Sequence, residues 1–257
     1  MIRVFSLFML VALVLPVLVL IPVALSSVGY LVFPPPALSL RWFREVFSDP
    51  RWLGSLLFSL HIAGWVALIA TALGLGAALV LVRGQVRGRI TLFAVLLAPL
   101  VAPSIITAIG LYFVFARLHL VGSEWAIILG QTVLTMPITT ILLTTSLRGL
   151  DPAIEQAAAI HGASPAATLR RITLPLIAPG VFAAALFAFL GSFDELLIAL
   201  FVGGPLQQTL PVRIWNTIQF ELDPSVAAVS VVVTLLAVVV LAVAGWLQAR
   251  GRARVES

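Results

Sequence analysis

Six apolar stretches, each long enough to cross a bilayer, constrain this chain more than any other feature. A crossing helix needs about 20 apolar residues. Residues 4–27, 56–82, 91–115, 125–146, 178–201 and 225–247 each supply them. Hydrocarbon offers the backbone no water, so segments of this length must satisfy their own hydrogen bonds as helices. With 61% apolar and 10% charged residues in a chain of 257, the expectation is an all-α membrane protein of six transmembrane helices in one domain. The first stretch could be read as a signal peptide. Its apolar core is too long for one and only Arg3 precedes it, so an uncleaved anchor is expected. Pro99 and Pro103 fall in the third stretch and Pro137 in the fourth. Kinks there would either line a pathway or serve ordinary packing.

Several functions are excluded. The absence of cysteine removes disulfides, cysteine–zinc sites and thiol catalysis. His61, His119 and His161 are scattered, without metal-ligand spacing. All the basic residues are arginine, so no phosphate-binding loop ending in Gly-Lys exists and any ATP must be hydrolysed by another polypeptide. No catalytic set and no resident cofactor or metal is expected in this chain. No basic run is long enough for nucleic acid, and the net charge of +5 reads as topology.

With the N-terminus placed in the cytoplasm, Arg3, Arg83, Arg87, Arg89, Arg148, Arg170, Arg171, Arg250, Arg252 and Arg254 all fall inside. Arg41, Arg44, Arg51, Arg117 and Arg213 fall outside, interspersed with Glu45, Asp49, Glu124, Glu221 and Asp223. Ten against five places both termini in the cytoplasm. Trp42, Trp52, Trp125, Trp215 and Trp246 then sit near span ends, as interfacial aromatics do.

This orientation puts the most polar loop, about 148–177, inside. Asp151 is a good N-cap and Pro152 suits the first helical turn. The Ala-rich run 153–160 should be helical. Gly162 suits a helix stop with positive φ. Ser164–Pro165 repeats the cap-plus-proline start, and the second short helix should end near Arg170 and Arg171, before Pro175 and Pro179.

Gln156-Ala157-Ala158, three residues, Gly162, nine residues, then Ile172, Leu174 and Pro175 resemble the EAA loop of binding-protein-dependent ABC importer permeases. One position departs: the motif glutamate falls on Gln156, with an acid one residue earlier at Glu155. The resemblance spans essentially the whole chain and implies a type I ABC importer permease fold in a bacterial inner membrane. It implies that Glu155, Gln156, Ala157, Ala158, His161, Gly162, Ala163 and Ser164 couple to a cytoplasmic ABC ATPase dimer, with ATP and Mg²⁺ held on that partner. It also implies a second permease subunit, homologous or identical, an extracytoplasmic solute-binding protein, and lipid around the spans. The alternative for the loop is an amphipathic linker on the membrane. Its apolar residues are mostly alanine, which lets a partner approach the backbone but inserts poorly into lipid.

The stretches GSFDELLIALFVGG and QTLPVRIWNTIQFELDPSVAAVS, and the early loop FPPPALSLRWFREVFSDPRW, resemble the spermidine/putrescine-type branch. Asp194 and Glu195 are the only carboxylates inside a proposed span. Such charges usually face a wet cavity or a partner. With Ser192 they are candidates for a translocation path that favours cationic solute. The competing reading is that one of them caps a helix break or pairs with an arginine. Gln131 and Thr132 are read as interhelical hydrogen-bonding residues, and the Gly74–Gly76 stretch as close helix packing. Other small solutes (an amino-acid derivative, a phosphonate or a metal complex) and an ion-coupled secondary transporter stand as alternatives.

Overall fold

A computed structural model describes residues 2–205, 208–220 and 223–253; Glu221 and Arg254 lie outside them. Among the described residues the fold is all helical, apart from one isolated antiparallel bridge between Ser26 and Leu38. The chain divides into two compact units, residues 1–56 with 212–257, and residues 57–211.

The first unit contains α1 (Ile2–Ala24), α2 (Arg41–Ser48), the start of α3 (Pro50–Arg83), most of α11 (Leu210–Phe220) and α12 (Ser225–Ala253). α12 packs against α1 and α2. Trp42, Val46 and Trp52 are buried, so these two tryptophans belong to the packed unit rather than to an exposed belt. Asp49 caps α3: its Oδ1 accepts from the Arg51 backbone N–H at 2.8 Å. The Arg51 guanidinium also hydrogen-bonds this carboxylate and holds it below the usual carboxylate range. Helix α12 continues past the expected end at 247 to Ala253, carrying Arg250 and Arg252 within it.

The second unit holds the rest of α3, α4 (Arg89–Val101), α5 (Ser104–Arg117), α6 (Glu124–Arg148), α7 (Pro152–Ile160), α8 (Pro165–Thr168), a π-helical turn (Leu169–Thr173), α9 (Leu174–Phe193) and α10 (Leu197–Val202). α6 is its spine, packing against α4, α5, α9 and α10. Small residues make the contacts close. Gly180, Ala184, Ala188 and Ser192 recur every fourth residue of α9, and the last three are buried. A Cβ at Gly180 would run into Ser146 of α6. On the α3 side, a Cβ at Gly74 would strike the Thr139 hydroxyl, which donates to Ala70 O at 2.9 Å. Close packing at Gly74 is therefore as expected, whereas nothing lies within 4 Å of a Cβ at Gly76. Below these contacts Ala78, Leu143, Leu147, Leu150, Ile177 and Ala184 form a continuous apolar core.

Three sequence expectations need correction. The third stretch, 91–115, is not one span-length helix but α4 and α5, bent by 103° at their junction. Proline disfavours helical geometry at the residue before it. Ala102, at φ −69° and ψ 138°, and Pro103, at φ −54° and ψ 128°, are both extended. The fifth stretch, 178–201, is broken after Phe193, and α10 starts afresh at Leu197. The second loop helix does not stop near Arg171. It continues through the π turn into α9, giving one helical run Pro165–Phe193. Pro175 has no N–H to give the preceding turn, and the wider turn just before it, with Leu174 N–H bonded to Leu169 O, takes up the break.

The second stretch begins earlier than expected, at Pro50, where the Asp49 cap and Pro50 start the helix. Pro137 sits within α6 without ending it. Among the described residues three helices are long and apolar enough to cross a membrane: Pro50–Arg83, Glu124–Arg148 and Pro165–Phe193. A fourth is added if the bent α4–α5 pair counts as one span.

Candidate coupling loop and intramembrane polar cluster

The loop between α6 and α9 is built by local rules. Asp151 Oδ1 accepts from Ala153 N–H at 2.9 Å and starts α7. Its end is a Schellman turn: Gly162 N–H donates to Ala159 O at 3.0 Å and Ala163 N–H to Ala158 O at 3.0 Å. Gly162 has φ +82°, the left-handed geometry expected of it. Ser164 Oγ then accepts from Ala167 N–H at 3.3 Å and starts α8. Both ends of the turn are thus capped.

The eight candidate coupling residues do not share one face. Gln156, Ala157, His161, Gly162 and Ser164 are exposed, and Ala158 and Ala163 are half-buried. Beside them Ile160 is 86% exposed, a bulky apolar side chain at the tip of the turn. Glu155 is turned inward instead. Its Oε1 accepts from Thr173 Oγ1 at 2.7 Å, and its Oε2 lies 2.7 Å from Arg83 Nε in an ion pair. Arg83 Nη2 also donates to Leu147 O at 3.3 Å and Leu150 O at 3.2 Å. Sequence reasoning counted Arg83 only toward topology and missed this network. The acid standing one place before the motif position was the available signal.

The second candidate group lies at the break between α9 and α10. Ser192 Oγ donates to Gln131 Oε1 at 2.6 Å, and Gln131 Nε2 donates to Glu195 Oε2 at 3.4 Å. Gln131 therefore links helices, as expected of it, whereas the Thr132 hydroxyl bonds back to Ile128 O at 2.7 Å within α6. Both Glu195 oxygens accept from Ile198 N–H, at 3.0 and 2.9 Å, so this carboxylate caps α10. Asp194 stands apart: it is exposed and its side chain has no partner among the described residues. His61 Nε2 lies 3.4 Å from Glu124 Oε2, and its ring packs edge-on against Trp65. Among the described residues no cluster of His, Asp and Glu could hold a metal.

A helical protein with long apolar helices, two of them joined by an exposed, doubly capped turn, is the class these features define. Residues 70–253 match the family model described as binding-protein-dependent transport system inner membrane component. The chain belongs to that family and is an inner-membrane permease component of an ABC importer.

Three relatives are informative. The putrescine transport system permease protein PotI of Escherichia coli (strain K12) is 34% identical over 219 residues, covering 82% of this chain and 78% of PotI. The spermidine/putrescine transport system permease protein PotC of Haemophilus influenzae is 30% identical, covering 79% and 80%. The molybdenum transport system permease protein ModB of Mycobacterium bovis is 32% identical, covering 86% and 90%. In fold, a chain of a bacterial ABC transporter involved in alginate import superposes with a TM-score of 0.74 at 14% identity, covering 94% of this chain and 92% of that one. The family membership excludes the ion-coupled transporter considered above.

Proposed function

We propose that this chain forms half of a solute path, with six spans and both termini in the cytoplasm, and imports polyamines such as putrescine and spermidine. It pairs with a second permease subunit. It docks its α7–α8 turn on a separate cytoplasmic ATPase dimer and receives solute from an extracytoplasmic binding protein. One observation carries the coupling role. The doubly capped turn presents Ile160 at 86% exposure between α6 and the Pro165–Phe193 helix. An apolar anchor on a rigid turn suits a groove in a partner protein. Closure of the ATPase dimer would then displace both helices as rigid bodies. Gln156, Ala157, Ala158, His161, Gly162, Ala163 and Ser164 surround the anchor with small or polar groups.

For the solute, support comes from the putrescine and spermidine/putrescine permeases among the relatives and from the exposed Asp194 carboxylate, which has no partner among the described residues and suits a cation in transit. ModB favours a second reading, import of a molybdenum-containing solute by the same mechanism.

The test is ATPase stimulation in proteoliposomes containing this chain, its ATPase and its binding protein. Stimulation by putrescine or spermidine is the expected result. Stimulation only by molybdate or another anion would keep the coupling mechanism and overturn the polyamine assignment. Failure of any ATPase to associate would overturn the coupling role.

A further inference from the structure

We propose that Arg83 is the strut through which the docking loop moves the spans: a positioning residue for coupling that touches neither ATPase nor solute. The inference rests on the coupling role proposed above. Arg83 is the last residue of α3, and its guanidinium reaches two other elements. It donates to the carbonyls of Leu147 and Leu150, where α6 ends, and it pairs with Glu155 of α7. Glu155 in turn accepts from Thr173, the last residue of the π turn that leads into α9. One carboxylate thus joins the docking helix to three long helices. Among the described residues Glu155 is the only member of α7 whose side chain bonds outside that helix.

Packing does not provide the same link. A cleft of about 380 Å³ opens beside the pair, between Leu79, Ala159, Ala163 and Leu169. Alanine side chains are too short to close it. α7 has nine residues and is tied to its neighbours through short turns, so without the polar link it could pivot into this space. Arg83 and Glu155 side chains are only 25% and 19% exposed, which reduces screening of the pair by solvent and salt. The fork of the guanidinium suits this task, because it holds two carbonyls and a carboxylate in fixed relative positions.

The test uses the full complex in proteoliposomes and reads solute transported per ATP hydrolysed, with the amount of co-purified ATPase as the measure of assembly. Arg83→Met and Glu155→Gln should each lower that ratio by about threefold or more with the ATPase still bound. The double variant should fall no further than the worse single one, because both remove the same link. Loss of docking contacts would instead lower ATPase recovery. If Arg83→Met does not assemble, Glu155→Gln and Thr173→Val decide, since both leave the bonds from Arg83 to the carbonyls in place. An unchanged ratio in assembled Glu155→Gln and Thr173→Val complexes overturns the proposal. A wild-type complex with no solute-stimulated hydrolysis would overturn the coupling role itself, and this inference with it.

Discussion

At the scale of single residues, two adjacent carboxylates do different work. Glu195 caps α10 and is held by Gln131, while the Asp194 side chain has no partner among the described residues. Sequence singles out both, because a carboxylate in an apolar stretch is costly, but it cannot say which one the helix break consumes. That depends on where α9 stops, and Phe193 as its last residue leaves Glu195 three residues before the Ile198 N–H it caps. Asp194→Asn is expected to reduce polyamine uptake roughly fivefold, the scale of one partly screened charge pair of about 1 kcal/mol, with assembly intact. Unchanged uptake measured with labelled putrescine would remove Asp194 from the path. Glu155 teaches the same lesson. Its position beside the motif suggests a docking contact, yet its carboxylate is satisfied internally by Arg83 and Thr173.

At the scale of elements, helix type was legible and helix contact was not. Asp151, Gly162 and Ser164 specify the α7–α8 turn through bonds spanning two to five residues, so sequence alone located it. Pro103 was one of the expected kink sites and is where α4 and α5 part, whereas the break after Phe193 and the continuity through Pro175 depend on how neighbouring backbone is accommodated. Glycines show the limit most plainly. Gly74 and Gly76 look equivalent in sequence, but only Gly74 lies under a side chain of α6. Gly180, the start of the small-residue stripe on α9, is the sharper case because Ser146 occupies the space a Cβ needs. Gly180→Ala should destabilise the protein by about 1–3 kcal/mol through overpacking. Gly76→Ala should be neutral or stabilising by up to about 1 kcal/mol, since alanine is the better helix former. Melting temperatures in detergent check both, and a Gly180→Ala variant as stable as wild type would contradict the close α6–α9 contact.

At the scale of the whole molecule, the proposed orientation rests on arginine counting and can be tested cleanly because the chain has no cysteine. Ser48 and His161 are both exposed and are proposed to lie on opposite sides of the membrane. In intact cells Ser48→Cys should react with an impermeant maleimide once the reagent passes the outer membrane. His161→Cys should react only after the inner membrane is opened. The reverse pattern would put the coupling loop outside and end its proposed role. The all-helical class and the coupling-loop turn were readable without a structure because hydrocarbon permits helices and little else, and because caps, prolines and a left-handed glycine act over a few residues. Which small residues touch, which carboxylate stays unpaired, and that Arg83 reaches Glu155 all required the folded chain. Those facts depend on which faces of distant helices meet, and no local pattern encodes that.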